Sequence, residues 1–409
     1  MKFGLENMRT ICAALDHPER SFQSVIVAGT NGKGSVTAML SAALHASGIQ
    51  SARYTSPHLE RIEERYVVGE REVDTNDLEA AAGIVQHSVQ DLVAKGTLQT
   101  LPTFFECATA IAFELFRRKS VELAVIEVGL GGRLDATNVI SPMAAAITSI
   151  DFDHQALLGD TFQSIAREKA GVIKPGIPVV IGPLTREADE VVATVCRERR
   201  AQLIRSRERV QIHEGAGSTV AIATTETRLE QVKLALRGRH QRDNAAVAMC
   251  VMEELRRLGV KLDDRGMRAG FEQALWPGRL EATRWHGAEL LLDAAHNAAG
   301  ARALADYLRD VGWTNVTLLI GVMHDKDVTA ILEPLAPLCA SIVCTTPPTP
   351  RAMAAVDLAA RAAEHRNAPA DIRAIPDPAA ALEATSQPGA RVVACGSIFL
   401  IGPLRGILR

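Results

Sequence analysis

Short runs of aliphatic and β-branched residues alternate along this chain with longer stretches whose apolar residues recur at helical spacing. Val25 to Ala28 is the first such run, a helical pattern from Thr37 to Ser47 follows it, and Ser51 to Thr55 reads as a second short strand. The charged segment Glu60 to Glu72 predicts a loop or hairpin. Asp74 to Ala94, and the stretch that Pro102 opens and Phe116 ends, predict helices. Glu122 to Val128 and Ala144 to Ile150 are strands of the buried type, Phe162 to Ala170 is a helix, and Pro178 to Gly182 is again a strand. This alternation implies a mostly parallel sheet covered on both faces, with ligands taken at the carboxyl ends of its strands.

The pattern changes between Arg209 and Leu236, where short Val/Ile/Thr runs separated by turn residues predict β-hairpins, before a helix that runs to Leu258. Trp276-Pro277-Gly278-Arg279-Leu280 breaks the periodicity and reads as a domain boundary. Beyond it a second set of βα units begins, with strands near Leu290 to Leu292, Val316 to Gly321, Ser341 to Thr345, Asp371 to Ile375 and Arg391 to Ala394. The expected organisation is a first domain over 1–275, a linker over 276–279 and a second domain over 280–409.

Composition narrows the function classes. With 409 residues, 47% hydrophobic and 23% charged, the chain has material for more than one core, and a formal charge of −3 argues against a nucleic-acid surface. No apolar stretch reaches the length of a membrane span, and the opening Met-Lys-Phe-Gly-Leu-Glu-Asn lacks the apolar core of a signal peptide. The seven cysteines are scattered with no C-x-x-C pair, which fits a reducing, cytoplasmic compartment.

The first strand stops at Gly29-Thr30-Asn31-Gly32-Lys33-Gly34-Ser35, between a strand and a helix. Such a turn directs backbone N–H groups and a helix N-terminus at one anion; Lys33 adds a point charge for the outer phosphates and Ser35 a hydroxyl near them or the metal. A glycine between the lysine and the serine, and a short first gap, set it apart from a standard Walker A loop. The fold expected is therefore α/β: an N-terminal P-loop-type, mostly parallel sheet with a small β-hairpin region, and a C-terminal Rossmann-like α/β domain.

Glu127, at the tip of the strand expected beside the first, is either a metal ligand or a salt-bridged structural acid, since a lone buried carboxylate is costly. His154 after the next strand tip is a second ligand or a hydrogen-bonded histidine. Ser56 carries no signal of its own beyond the turn that Pro57 imposes on it. Lys169 is open between an exposed side chain, a phosphate contact and a modified residue. Asp293, in Asp293-Ala294-Ala295-His296-Asn297, either touches a ligand or caps the next helix.

Taken together, these motifs resemble the folylpolyglutamate synthase/dihydrofolate synthase family of Mur-ligase-like, ATP-dependent amide ligases, over nearly the whole chain. The carriers are Gly29–Ser35, Thr55–His58, Thr103–Glu106, Glu127–Asn138, Thr148–His154, Arg167–Gly171, His240–Asn244, Pro277–Arg279 and Asp293–Asn297, in that order. The resemblance implies that Ser56, Glu127 and His154 hold magnesium, with Lys169 carboxylated by CO2 to a carbamate that helps hold a second ion. It assigns Asn31, Gly32, Lys33, Gly34, Ser35, Asn244, Arg279 and Asp293 to ATP. Thr103, Phe104, Phe105 and Glu106, with Leu134, Asp135 and Ala136, are assigned to the pterin-bearing substrate. His296 is placed near the reacting phosphate and the incoming glutamate, so that Lys33, Lys169 and His296 form the catalytic set. A monovalent cation such as K+ is also implied. The activity implied is addition of L-glutamate to 7,8-dihydropteroate and to folates through an acyl phosphate, by a monomer that uses neither nucleic acid nor membrane and closes its domains to exclude water.

Three departures stand out. The segment before the phosphate loop looks shortened, Asp293 is followed by Ala where Gly is common, and His324 stands where a lysine is often found. The rival readings are a synthase acting on folates alone, a cell-wall ligase (for which there is no room for an extra domain before Val25), a P-loop switch ATPase, and a non-catalytic folate-binding remnant.

Overall fold

The structure, a computed structural model of the chain, describes residues 4–98 and 100–409; Met1 to Phe3, the start of the opening segment read above, and Gln99 lie outside the described residues. The chain divides into two compact units, one comprising residues up to Ala235 together with Gln241–Leu275, the other Leu236–His240 and Trp276–Arg409.

The first unit carries, in chain order, α1 (Glu6–Ala14), β1 (Gln23–Ala28), α2 (Lys33–Ala46), β2 (Ser51–Tyr54), β3 (Tyr66–Val68), β4 (Arg71–Glu72), α3 (Thr75–Ala94), α4 (Phe104–Arg118), β5 (Leu123–Glu127) and β6 (Ala144–Ile147). It continues with α5 (Gln155–Leu158), α6 (Phe162–Ala170), β7 (Pro178–Ile181), α7 (Arg186–Arg199), β8 (Gln202–Arg205), α8 (Ser206–Arg209), β9 (Gln211–Glu214), β10 (Val220–Ala223), β11 (Arg228–Val232), α9 (His240–Arg257) and α10 (Asp264–Glu272).

Its main sheet has the order β4-β3-β2-β5-β1-β6-β7-β8, so β1 lies in the interior between β5 and β6. All pairings from β2 to β8 are parallel; β3 and β4 add an antiparallel edge. The aliphatic runs are what interior parallel strands require, because helices cover both faces: every residue of β5, β6 and β7 is buried. Tyr54, Tyr66, Phe113, Phe116 and Ile26 are fully buried in this core.

Two local expectations shift. Helix α2 begins at Lys33 rather than Thr37, because Gly32 takes a left-handed conformation (φ 86°) and turns the chain directly into the helix. The charged segment after Ser56 does form a hairpin, but one whose first strand pairs with β2 and so extends the main sheet. Strands β9 to β11 make the separate antiparallel sheet that the change of pattern predicts.

The second unit carries β12 (Glu281–Trp285), β13 (Ala288–Leu292), α11 (Ala298–Asp310), β14 (Val316–Ile320), α12 (Val328–Leu335), β15 (Cys339–Cys344), α13 (Ala355–Ala363), β16 (Asp371–Ala374), α14 (Pro378–Thr385), β17 (Arg391–Cys395) and α15 (Ile398–Ile407). Its sheet has the order β12-β13-β17-β14-β15-β16, parallel except for β12. Edge strand β12 alternates half-buried with exposed residues and so offers no aliphatic run to read. Leu291, Leu304, Leu308, Ile320 and Val393 belong to this unit's own core. All seven cysteines are free thiols, and among the described residues no helix is long and apolar enough to cross a membrane.

Candidate active site

The loop Gly29–Gly32 leaves the carboxyl end of β1 and is stitched to the segment that follows β6. Asn31 N donates to Ser149 Oγ at 2.9 Å, and the Asn31 carbonyl accepts from Thr148 Oγ1 at 2.6 Å and Ser149 Oγ at 3.0 Å. Thr30 Oγ1 donates to the Asp151 carbonyl and accepts from the Asp151 N–H, at 3.1 and 3.0 Å. Glycine is required at both ends of the turn. A Cβ at Gly29 (φ 148°) would lie 2.0 Å from Thr148 Oγ1, and one at Gly32 would lie 2.3 Å from Asn244 Oδ1. The loop is thereby a rigid rim around the N-terminus of α2, the geometry that receives an anion.

Lys33 Nζ arches back onto the carbonyls of Gly29 and Thr30, at 3.0 and 3.2 Å. Lys169, near the end of α6, is buried, and its Nζ donates to the same Gly29 carbonyl at 3.0 Å. Burial first, and the neighbouring Lys33 charge second, pull the Lys169 amine down to about 7, against an opposing pull from Asp153 and Asp135. An amine in that range is substantially neutral at physiological pH and hence nucleophilic. Ser35 is buried on the first turn of α2, where Gln241 Nε2 donates to its hydroxyl at 3.2 Å; Asn244 Nδ2 in turn donates to Gln241 Oε1 at 2.8 Å.

Register places Glu127 opposite Val27, at the tip of β5 beside the phosphate loop, and its side chain is buried. Arg53 on β2 stands opposite Val125, so it shares a sheet face with Glu127; burial lowers the guanidinium's affinity for its proton, and the charges of Glu72 and then Glu127 offset part of that. Ser56 is half-buried after β2, joined to Pro57 by a cis peptide bond. His154 is exposed and left-handed (φ 51°), with its backbone N–H on Asp153 Oδ1 at 2.9 Å. Among the described residues no three His, Cys, Asp or Glu side chains form a metal-holding group. The donor set Ser56, Glu127 and His154 nonetheless fits magnesium, a hard cation that takes one or two protein carboxylates and fills its remaining positions with water and phosphate oxygens.

The residues expected on the substrate side divide by what their side chains do. Thr103 and Glu106 form the capping box of α4: Thr103 Oγ1 accepts from Glu106 N at 3.2 Å and Glu106 Oε2 from Thr103 N at 2.7 Å. They aim Phe104, which is 61% exposed and lies over the Arg65 guanidinium at 5.3 Å. Phe105 is half-buried and packs toward Tyr54, with ring centroids 6.2 Å apart. Arg65 Nε donates to His58 Nδ1 at 2.9 Å; burial and that cation depress the His58 pKa. Asp135 accepts from Leu130 N, Thr137 N and Thr137 Oγ1, at 2.8, 3.0 and 2.6 Å, which holds the loop carrying Leu134 and Ala136. Burial raises the Asp135 pKa in spite of those donors.

In the second unit Asp293 is buried at the end of β13. It accepts from Leu280 N and Ala295 N, both at 2.8 Å, and so ties the residue that follows the linker to the strand end. The helix cap is Asn297, which accepts from Gly300 N. Arg279 donates to the Gly278 carbonyl. His296 Nδ1 lies 2.8 Å from the Ala294 carbonyl, and since a carbonyl only accepts, Nδ1 is the donor of that bond.

Sequence reasoning passed over Thr148, Ser149, Gln241, Arg53 and Asp153 as site residues. All but Arg53 lie within or beside motifs already singled out, and only their contacts reveal what they do.

Comparison with known proteins places the whole chain. Residues 27–252 match the Mur ligase middle domain, and residues 278–398 match the Mur ligase glutamate ligase domain. The dihydrofolate synthase/folylpolyglutamate synthase of Mycobacterium tuberculosis is 34% identical, over 98% of this chain and 89% of its own length. That of Bacillus subtilis is 33% identical, over 88% and 84%. The solved M. tuberculosis folylpolyglutamate synthase complexed with ADP superposes with a TM-score of 0.91 at 32% identity, covering 99% of this chain and 94% of its own. The bifunctional Yersinia pestis enzyme complexed with AMPPNP and Mn ion superposes with a TM-score of 0.86 at 31% identity, covering 100% and 94%.

Proposed function

This chain belongs to the Mur ligase family, and on that footing we propose that it is a bifunctional folylpolyglutamate synthase/dihydrofolate synthase. It adds L-glutamate to 7,8-dihydropteroate and to (tetrahydro)folates at the expense of ATP. The observation that carries this reading is the pair of lysine side chains, Lys33 and Lys169, on the Gly29 carbonyl inside a phosphate loop, with Glu127 at the tip of the next strand.

The substrate's terminal carboxylate attacks the γ-phosphorus of ATP; the bond to the β-phosphate oxygen breaks, giving an acyl phosphate and ADP. The amine of glutamate then attacks the acyl carbon, the tetrahedral intermediate expels phosphate, and an amide remains. Lys33 and the N-terminus of α2 neutralise charge on the phosphates, with Asn31, Gly32, Gly34 and Ser35 lining the loop. Asn244, Arg279 and Asp293 are assigned to the nucleotide. His296, its ring held by the Nδ1 bond to the Ala294 carbonyl, is assigned to the reacting phosphate and the incoming glutamate.

Ser56, Glu127 and His154 would hold magnesium, which supplies charge neutralisation to the transferring phosphoryl group when bound. Lys169 in its neutral form adds CO2: a bond forms from Nζ to the carbon, a proton is released, and the resulting anionic carbamate suits a second ion. That the amine sits near 7 supports this assignment. A monovalent cation such as K+ completes the set. Phe104, Phe105, Leu134 and Ala136 line the pteroyl side, with Thr103, Glu106 and Asp135 holding their backbones in place.

The test is ADP release in magnesium, with and without L-glutamate, comparing dihydropteroate with tetrahydrofolate. Glutamate-dependent turnover with both acceptors is the expected result. Turnover with tetrahydrofolate alone would reduce the protein to a folylpolyglutamate synthase, and equal turnover with neither acceptor would make it an ATPase of another kind.

A further inference from the structure

A hydroxyl has one proton and two lone pairs, so its neighbours decide which way the proton points. Ser35 on the first turn of α2 has two such neighbours. On one side Gln241 Nε2 donates to Ser35 Oγ at 3.2 Å, occupying a lone pair. On the other, the usual sink for a helical serine's proton is the carbonyl four residues back, here that of Asn31. That carbonyl already accepts from Thr148 Oγ1 and Ser149 Oγ, at 2.6 and 3.0 Å, which fills both of its lone pairs. The Gly32 carbonyl, three residues back, accepts from Val36 N at 3.0 Å and keeps one lone pair. The Ser35 proton is therefore shut out from the Asn31 carbonyl, and with a lone pair held by Gln241 the hydroxyl is left to donate, to an anionic phosphate oxygen in preference to the neutral, already engaged Gly32 carbonyl.

We infer that Gln241 is a positioning residue for the nucleotide: it makes Ser35 a donor to phosphate by holding the serine's lone pair, in a chain that runs Asn244 to Gln241 to Ser35 to the bound phosphate. Asn244 Nδ2 sets the polarity at the far end, because its donation to Gln241 Oε1 at 2.8 Å leaves the Gln241 amide group facing Ser35. All three side chains are buried, at 4% exposure for Ser35, 2% for Gln241 and 8% for Asn244, so water does not compete for these bonds. Each donor points the same way, and a hydrogen-bond chain of one polarity strengthens its last member. The inference rests on the assignment of Ser35 to ATP above.

The test is a double-mutant cycle on ADP affinity, measured by calorimetry, with thermal unfolding of each variant recorded alongside. Gln241→Glu keeps the shape and the acceptor for Asn244 but replaces the donor facing Ser35 by an acceptor, which reclaims the serine's proton. Ser35→Ala and Gln241→Glu are each expected to weaken ADP binding by about tenfold, the value of a hydrogen bond to a charged group. In the Ser35→Ala background, Gln241→Glu is expected to add less than about twofold, because it acts through the serine. Gln241→Met, a neutral variant without the donor, guards against the cost of a buried carboxylate and should show the same non-additivity. Additive losses would overturn the role of Gln241 while leaving Ser35 at the nucleotide. An unchanged affinity in Ser35→Ala alone would instead remove Ser35 from the nucleotide site, and the inference with it.

Discussion

Lys33 and Lys169 donate to one and the same atom, the carbonyl oxygen of Gly29, each at 3.0 Å. One lysine comes from the first turn of α2 and the other from the last turn of α6, so the tip of β1 gathers two lysine Nζ atoms at the base of the phosphate loop. Two cations sharing a site raise the cost of charging both, and the buried one yields its proton first.

For Lys169 the consequence depends on pH. The unfolded lysine titrates near 10.5 and the folded one near 7, so between those values the unfolded chain binds more protons and stability rises with pH. Below about 7 the full penalty of the buried charge is present. Lys169→Met should therefore be the more stable protein at pH 6 to 7, by a few degrees in Tm, with the gap closing toward pH 10. Thermal scans from pH 6 to 10 check this, and a gap that widens with pH would contradict the shift. Cyanate labelling of the same lysine should rise steeply between pH 6 and 8, as read by peptide mass.

Lys33→Ala should reduce glutamate-dependent ADP release by at least about a hundredfold, since it removes the loop's own cation from the transferring phosphate. The thermal transition should move little, because the Lys33 Nζ bonds to Gly29 and Thr30 lie within its own loop. Retained turnover would remove the lysine from the mechanism.

Glu127→Gln preserves the shape of the β5 tip but takes away its negative charge. The magnesium concentration for half-maximal ADP release should rise by about tenfold or more. A magnesium titration of the variant reads this directly, and an unshifted curve would leave Glu127 as a structural acid paired within the sheet.

Phe104→Ala removes an exposed ring that covers Arg65. Its stability cost should stay within about 1 kcal/mol, because little buried surface is lost. The KM for the pteroyl acceptor should rise by about tenfold while that for ATP is unchanged. A parallel rise in both would place the ring elsewhere in the reaction.

The strand and helix order was legible because aliphatic runs and helical spacing are local signals, and they fit even where the start of α2 shifted by a few residues. The phosphate loop could be read for the same reason, since its glycines, lysine and serine are consecutive. Strand β12 was missed because an edge strand facing water needs no aliphatic run. Asp293 illustrates a choice that local sequence left open: the helix cap is Asn297, and the aspartate instead holds Leu280, the residue that follows the linker.

By itself the sequence determined the two α/β units, the placing of the candidate residues at the carboxyl ends of the strands, and the family. These are written in periodicity, in the punctuation of glycine and proline, and in the order of motifs. Only the tertiary structure decided that Thr148 and Ser149 fill the lone pairs of Asn31, that Gln241 reaches Ser35, and that Lys169 meets Lys33 on one carbonyl. Those are encounters between residues far apart in the chain. A proton's position depends on which acceptors are already taken, and a lysine's charge on how much water is left around it.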